Sequence, residues 1–451
     1  MHDRCRCGSR LVGQRPHRFS GGGSLRRPEI RLRRDAYGEA ARHAAAAVDG
    51  VRRDVRPQCQ ASSEESSGEE SSGEESQTVK NLLVLLLVCV CRLGGPGPRA
   101  ADAPLPAEPS RTDAAAADVP ALPEVVPPGD AVIMAAIDRC GVLAQRSEPN
   151  GSWGSATRTK GLNVYAPVPG AHHAFRAATT SLCLAALLET PSDVAGVEEA
   201  VDRGEAWLER HLEDLRRATG DAIYNVWGHG YAIQALVRMH RRHHDDPARQ
   251  ATIETLLRGQ FEKLQRYESV DGGWGYYDFR YQAKQPTSSS ISFVNGAILV
   301  ALAEARAIGI EPPERMVQRA IAATLRQQKP DLSSLYGEYL KYRPMRGVNR
   351  PGGSLGRTQC CNAALRLWGS ETISDDAIKT WLGRLHQRNG WLDIGRKRPI
   401  PHESWMQVAG YFYFFGHYYA AVCLEQLPVD QQAPYQSLLA KLMLDRQERD
   451  G

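Results

Sequence analysis

The reading of this chain starts from Arg258-Gly-Gln-Phe261, Gln265 and Asp271-Gly-Gly-Trp274-Gly-Tyr-Tyr277-Asp278. A helix-like run ends at Gln265, and a glycine-rich loop then delivers a tryptophan. Related phrases recur at Gln145…Asn150-Gly-Ser-Trp153-Gly and at Gln387…Gly390-Trp391. From Asn150 to Asp271 is 121 residues and from Asp271 to Asp450 is 179, close to two and three times sixty. A fixed period of that size marks a repeat architecture.

Outside these phrases the body reads as helix throughout. Apolar residues recur at helical spacing, and the breaks are rich in Gly, Pro and Trp. Eleven helices are expected, starting near residues 130, 175, 197, 230, 249, 290, 314, 358, 374, 404 and 433. Those starting at 175, 230, 290, 358 and 404 are apolar on most faces, and the others carry one apolar stripe. A helix apolar all round has neighbours all round, and a one-striped helix sits at the surface. Strict alternation of the two classes predicts two concentric layers. Six outer helices and five inner ones suggest a ring of pairs whose last inner helix would follow Gly451.

The 451 residues carry a net charge of +4, but residues 1–60 hold fourteen Arg and no Lys. With no basic patch interleaved with aromatics in the body, nucleic-acid binding is not expected. Residues 1–78, including the Ser/Glu/Gly tract at 62–75, read as disordered, being too poor in apolar residues to offset chain entropy. Residues 79–103 pair a short apolar run, Leu82 to Cys91, with small residues near Ala103. That is the shape of a secretory signal, so true translation is expected to start near Val79 and the product to be exported. The run is too short to span a bilayer. Residues 104–128 form a Pro/Ala-rich linker, and the helical body covers 129–451. Five cysteines lie in that body, an odd number with no zinc-ribbon or redox spacing, so no disulfide framework is expected.

The recurrent phrase resembles the signature of the prenyltransferase and squalene-cyclase repeat family: Lys/Arg-Gly, an aromatic, Gln, then Gly-x-Trp. Arg258-Gly259, Phe261, Gln265, Gly272 and Trp274 carry the resemblance, with Gln145, Gly151 and Trp153 and with Gln387, Gly390 and Trp391 behind them. It covers about residues 130–451. It implies an all-α fold, an (α/α)6-type toroid here lacking its last inner helix, with an apolar central cavity suited to an isoprenoid. Physically the phrase reads as a staple. Gln bonds free helix-end carbonyls, Gly reverses the chain, and Trp covers the junction.

The family's Asp-x-Asp-Asp acid is absent. Candidate chemistry therefore falls to polar residues at the starts of the apolar helices, where helix N-termini favour anions. Asp278 is the candidate acid and His229 a candidate proton donor or base. Candidate binding residues are His172, His173, Trp227, Tyr277, Arg357, His402, Tyr411, Phe415 and Tyr418, the last three on an aromatic stretch whose faces suit cation–π contact. No metal and no cofactor are expected. Three functions stay open: a terpene-cyclase- or prenyltransferase-like enzyme, a non-catalytic lipid-binding or scaffold toroid, and a polysaccharide-lyase-like toroid. The expected partner is an apolar small molecule, with association at a membrane surface.

Overall fold

The structure, a computed structural model, describes residues 119–154, 169–217, 220, 222–278, 285–286, 289–342, 347–349, 351–396 and 412–449. The expected disordered segment, the signal-like segment and most of the linker lie outside them. The described residues are helical, with three isolated β-bridges and no strand. The helices are α1 (Asp130–Cys140), α2 (Val142–Gln145), α3 (Pro169–Leu187), α4 (Val197–His211), α5 (Asn225–Arg242), α6 (Pro247–Tyr267) and α7 (Ser292–Ala307). After them come α8 (Glu314–Arg326), α9 (Pro351–Leu367), α10 (Asp375–Gln387), α11 (Asn389–Gly395), α12 (Phe412–Glu425) and α13 (Val429–Leu444).

Burial alternates as the apolar pattern requires. In α12 every residue from Phe412 to Leu424 is buried, and in α7 all of Ser292–Ala303 is. By contrast α4 buries one stripe, Val197, Ala200, Val201, Gly204, Trp207 and Leu208, with Glu205 beside it. The inner helices pack in chain order, α3 on α5, α5 on α7, α7 on α9 and α9 on α12. Glycines set these crossings. A Cβ on Gly296 of α7 would stand 3.1 Å from the Cys360 backbone of α9, and Gly356 of α9 lies against Gly416 of α12. Three inner helices start earlier than expected, α3 at Pro169, α5 at Asn225 and α9 at Pro351. A helical glycine costs about 1 kcal/mol in isolation, and that cost is offset where its missing side chain lets two backbones approach.

The staple is real but is built differently from the expectation. The Trp274 indole N–H donates to the Leu264 carbonyl at the end of α6 (2.9 Å), and Trp153 does the same to Leu143 of α2 (2.9 Å). Gln145 and Gln265 are exposed instead. Thus the ring of the tryptophan, and not the glutamine amide, takes the helix-end carbonyl. Gly151 and Gly272 hold φ of 87° and 91°. Each lies against the backbone of the next outer helix, at Arg203 of α4 and Arg319 of α8, where a Cβ would collide.

A further copy of this turn, 60 residues beyond Asp271, went unread in the sequence: Lys329-Pro-Asp331-Leu-Ser-Ser334. Its hydrogen bonds repeat the others. Lys329 N–H donates to the Ser333 carbonyl (2.8 Å), as Glu148 does to Ser152 (2.8 Å) and Ser269 to Gly273 (2.8 Å). The residue after each turn anchors on an inner helix. Trp153 N–H donates to Thr180 Oγ1 (3.0 Å), Trp274 N–H to Asn295 Oδ1 (2.7 Å) and Ser334 N–H to Thr358 Oγ1 (3.2 Å). Leu332 holds φ of 62° in the glycine position.

The phrase at Gln387-Arg-Asn-Gly390-Trp391 is not a staple. It runs into helix α11, and Trp391 is 37% exposed. Gln447, placed by the sequence at the end of a repeat, ties α13 back to α1. Its side-chain N–H donates to the Ala136 carbonyl (2.8 Å), and its oxygen accepts from Arg139 Nη2 (2.6 Å).

Candidate aromatic site at the inner helix ends

Side-chain contacts fix the direction of the inner helices. Near their N-terminal ends, Phe175 of α3 packs on Tyr224 before α5 (5.0 Å), Trp227 of α5 on Phe293 of α7 (6.0 Å), and Phe293 on Phe412 of α12 (4.9 Å). Near their C-terminal ends, Arg238 of α5 pairs with Glu304 of α7 (2.7 Å) and with Glu189 just after α3 (3.1 Å). These helices therefore run the same way, with an aromatic end and a charged end.

The aromatic end is lined from two sources. Helix starts supply Phe175, Trp227, Phe293 and Phe412. The loops that follow the staples supply Tyr276, Tyr277 and Tyr336. Short bridges, Ala222 to Tyr277 and Ile291 to Gly337, hold those loops. Tyr224 and Tyr276 stack at 5.6 Å, and their hydroxyls bond to Tyr277 and Tyr336 respectively. The hydroxyls bond one another across the cluster. Trp227, Tyr276 and Tyr277 are half-buried and Phe175 is 37% exposed, so this end of the assembly is partly accessible to solvent.

The two candidate catalytic groups are both engaged. Asp278 is fully buried, and its carboxylate meets Arg217 Nη2 at 3.2 Å. Arg217 in turn lies over the Tyr267 ring (5.9 Å) and donates its backbone N–H to the Tyr267 hydroxyl (3.2 Å). His229 points from α5 to α6. Its Nδ1–H donates to Gln260 Oε1 (2.8 Å), and Nε2 accepts from Asn225 Nδ2 (3.3 Å). Burial lowers its pKa to about 4, against a smaller opposing effect of the Gln260 bond. It is a neutral tie between layers.

The candidate binding residues separate into groups. Trp227, Tyr277, Phe415 and Tyr418 belong to the inner assembly. Phe415 packs on Phe293 (5.8 Å), and the Tyr418 hydroxyl accepts from Gln234 Nε2 (3.1 Å). Arg357 is fully buried and donates to the Ser334 (3.0 Å), Gly353 (2.8 Å) and Val348 carbonyls, so it fastens the loop before α9. His172 and His173 stand on α3. His173 faces outer helix α4, beside Trp207 (5.9 Å) and His211 (6.1 Å), with its pKa lowered chiefly by burial. His402 and Tyr411 lie outside the described residues.

Sequence reasoning missed Tyr231, Phe293 and Tyr336. One signal was available for the first. Trp227, Tyr231, Gln234 and Arg238 are spaced at i, i+4, i+7 and i+11, one stripe of α5 that runs from the aromatic end to the charged end. It also missed an Asp-x-Cys spacing, a pairing of two zinc-ligand residue types, at Asp138-Arg-Cys140. There Asp138 is exposed while Cys140 is buried. Among the described residues no group of three His, Cys, Asp or Glu is placed to hold a metal ion.

Cys360 and Cys361 are buried, with both thiols pushed up by desolvation, which makes them poor nucleophiles. Another charge cluster among the described residues is structural. Buried Glu205 of α4 takes Arg242 (3.0 Å), His243 (2.8 Å) and Arg249 (3.2 Å), clamping the α5–α6 corner. No described helix is long and apolar enough to cross a membrane.

No protein-family model, no curated protein and no solved structure matches this chain.

Proposed function

We propose that residues 129–451 form an α/α toroid that binds an apolar molecule, an isoprenoid or a comparable long hydrocarbon, without converting it. Support for the toroid comes from the alternation of buried and one-striped helices, the chain-order packing of the inner ones, and the Gln447 tie from α13 to α1. The resemblance of the staple phrases to the prenyltransferase and squalene-cyclase repeat points the same way, but fold analogy does not choose a function.

The observation that carries the binding reading is the cluster of partly exposed rings Phe175, Trp227, Tyr276 and Tyr277, backed by Phe293 and Phe412. An apolar lining with few polar anchors is what a hydrocarbon ligand needs. The fate of the acid–base candidates favours binding over turnover. Asp278 is committed to an ion pair with Arg217, and both ring nitrogens of His229 are committed to Gln260 and Asn225. Export, with residence at a membrane surface where such ligands partition, fits the apolar run at 82–91 and the small residues after it.

The test is a titration of the full chain with a fluorescent isoprenoid alcohol, read by anisotropy. Trp227→Ala is expected to weaken binding about tenfold to a hundredfold, the value of burying one large aromatic face. Asp278→Asn, if it folds, is expected to leave affinity within about threefold, because that carboxylate faces Arg217. Equal affinity of wild type and Trp227→Ala would refute the aromatic site.

A further inference from the structure

Among the described residues, the four exposed aromatic rings all belong to segments that enter an inner helix. They are Phe175 in the second turn of α3, Tyr339 (56%) and Tyr342 (84%) before α9, and Trp391 on α11 before α12. Tyr339 and Tyr342 stand on a fixed frame. Gly337 bridges Ile291, Glu338 is buried against Arg326 (2.7 Å) and Leu340 is buried in the core, so Tyr339, Lys341 and Tyr342 are turned out to water. Lys341 Nζ lies 5.2 Å from the centre of the Tyr342 ring. Arg396, over the Tyr413 ring (5.8 Å), brings the end of α11 to the start of α12.

Charge is sorted the same way. The five stretches that lead into the inner helices (154–168, 215–224, 275–291, 335–350 and 396–411) hold thirteen Lys or Arg and four Asp or Glu. Two of those acids, Asp278 and Glu338, are paired with Arg217 and Arg326. The five returns at the other end (188–196, 243–246, 308–313, 368–374 and 426–428) hold six Asp or Glu and no Lys or Arg. Inner-helix N-termini add partial positive charge at the first end, and C-termini add negative charge at the second. No basic patch was legible in the sequence because its members are scattered over separate connections. The common direction of the inner helices brings the ends of those connections together.

We propose that the aromatic end docks on an anionic lipid surface, with Tyr339, Tyr342 and Trp391 at the level of the headgroups and the basic connections supplying the attraction. Tyr and Trp favour that level because each has an apolar body and a polar tip. Each Lys or Arg beside an anionic leaflet strengthens docking about fivefold. The acidic end is repelled by the same surface, which fixes one orientation. Ile394, 46% exposed on the same short helix as Trp391, suits acyl chains and offers nothing to a nucleic-acid base. Docked this way, Trp227 and Tyr276 lie at the end next to the layer that holds the hydrocarbon. The proposal rests on the reading of that end as the site of an apolar ligand. The anisotropy titration contains no membrane, so either reading can fail alone.

Hydrogen exchange of the full chain tests the docking, with and without vesicles of equimolar phosphatidylcholine and phosphatidylglycerol. Regional rates are the readout, because the fourteen Arg of residues 1–60 would attract such vesicles by themselves. Exchange at residues 337–342 and 389–396 is expected to slow about threefold or more on these vesicles, with 243–246 and 308–313 unchanged. Pure phosphatidylcholine should slow it less, and high salt should reverse the effect. The double variant Lys341→Glu, Tyr342→Ala changes two exposed side chains and should lose the slowing at 337–342. No slowing there, equal slowing at both ends, or full slowing in the double variant would overturn the docking. So would slowing by a single-stranded oligonucleotide and not by vesicles.

Discussion

Trp274→Ala is expected to destabilise the protein by about 3–5 kcal/mol, the range for removing a buried aromatic of this size. The side chain is fully buried between α6 and the inner helices. Its indole N–H also satisfies the Leu264 carbonyl, which would be orphaned in a low-dielectric place. Trp274→Phe keeps most of the apolar area and loses only that bond, so a cost of about 1–3 kcal/mol is expected. Trp391→Ala is the contrast. That ring belongs to a phrase of similar wording, but it is 37% exposed on α11, and a cost of about 1 kcal/mol or less is expected. Urea unfolding of the three variants checks the ranking. Equal losses at 274 and 391 would mean that the two phrases fold alike.

The second large effect is on acid stability. His229 and His417 both titrate at about 4 in the folded chain, below the ordinary value of 6.5, and desolvation is the main cause for each. His417 donates Nδ1–H to the Tyr413 carbonyl (2.6 Å), and its Nε2 lies 2.9 Å from the side-chain amide of Asn389. The unfolded chain binds protons at these two sites first as pH falls. Their stabilisation is therefore complete above about 6.5 and is lost progressively down to about 4. Each site is worth up to about 3 kcal/mol over that window. Urea midpoints should fall steeply from pH 7.0 to 4.5. His229→Gln and His417→Gln should each remove part of that slope, and an unchanged slope in both would contradict the assignment.

How much of this was legible in the sequence depends on what each signal reports. Helical periodicity reports burial, and it sorted α3, α5, α7, α9 and α12 from the one-striped helices because a helix surrounded by others must be apolar all round. Helix starts were less legible. Gly228, Gly230 and Gly356 look like stops until the helices they touch are known, and those contacts lie far along the chain. The turn at Lys329–Ser334 escaped notice because it has Leu332 in place of the glycine and Ser334 in place of the tryptophan. Its only local trace is Asp331 with Ser333, whose N–H and Oγ both bond the Asp331 carboxylate (3.1 and 2.6 Å).

The site was less legible than the fold. Trp227 and Tyr277 were named from their places before or within apolar helices, and the structure brings both to the aromatic end. Asp278 was named for the same reason, but its partner Arg217 is 61 residues away and nothing local announces the pair. His229 looked available because the apolar helix was expected to start only near residue 230. It lies inside α5, and Gln260 fixes it. The charged end was invisible for a simpler reason. Glu189, Arg238 and Glu304 come from three separate parts of the chain, and each looks by itself like a solvated helix end.

Lipid extraction and mass spectrometry of the full-length protein, purified without detergent, is the most direct measurement. An apolar molecule should be recovered at close to one per chain from wild type and Asp278→Asn alike, unmodified, and should be absent from Trp227→Ala. Recovery of nothing from wild type, or of a converted product that disappears in Asp278→Asn, would contradict a toroid that holds its ligand without reacting it.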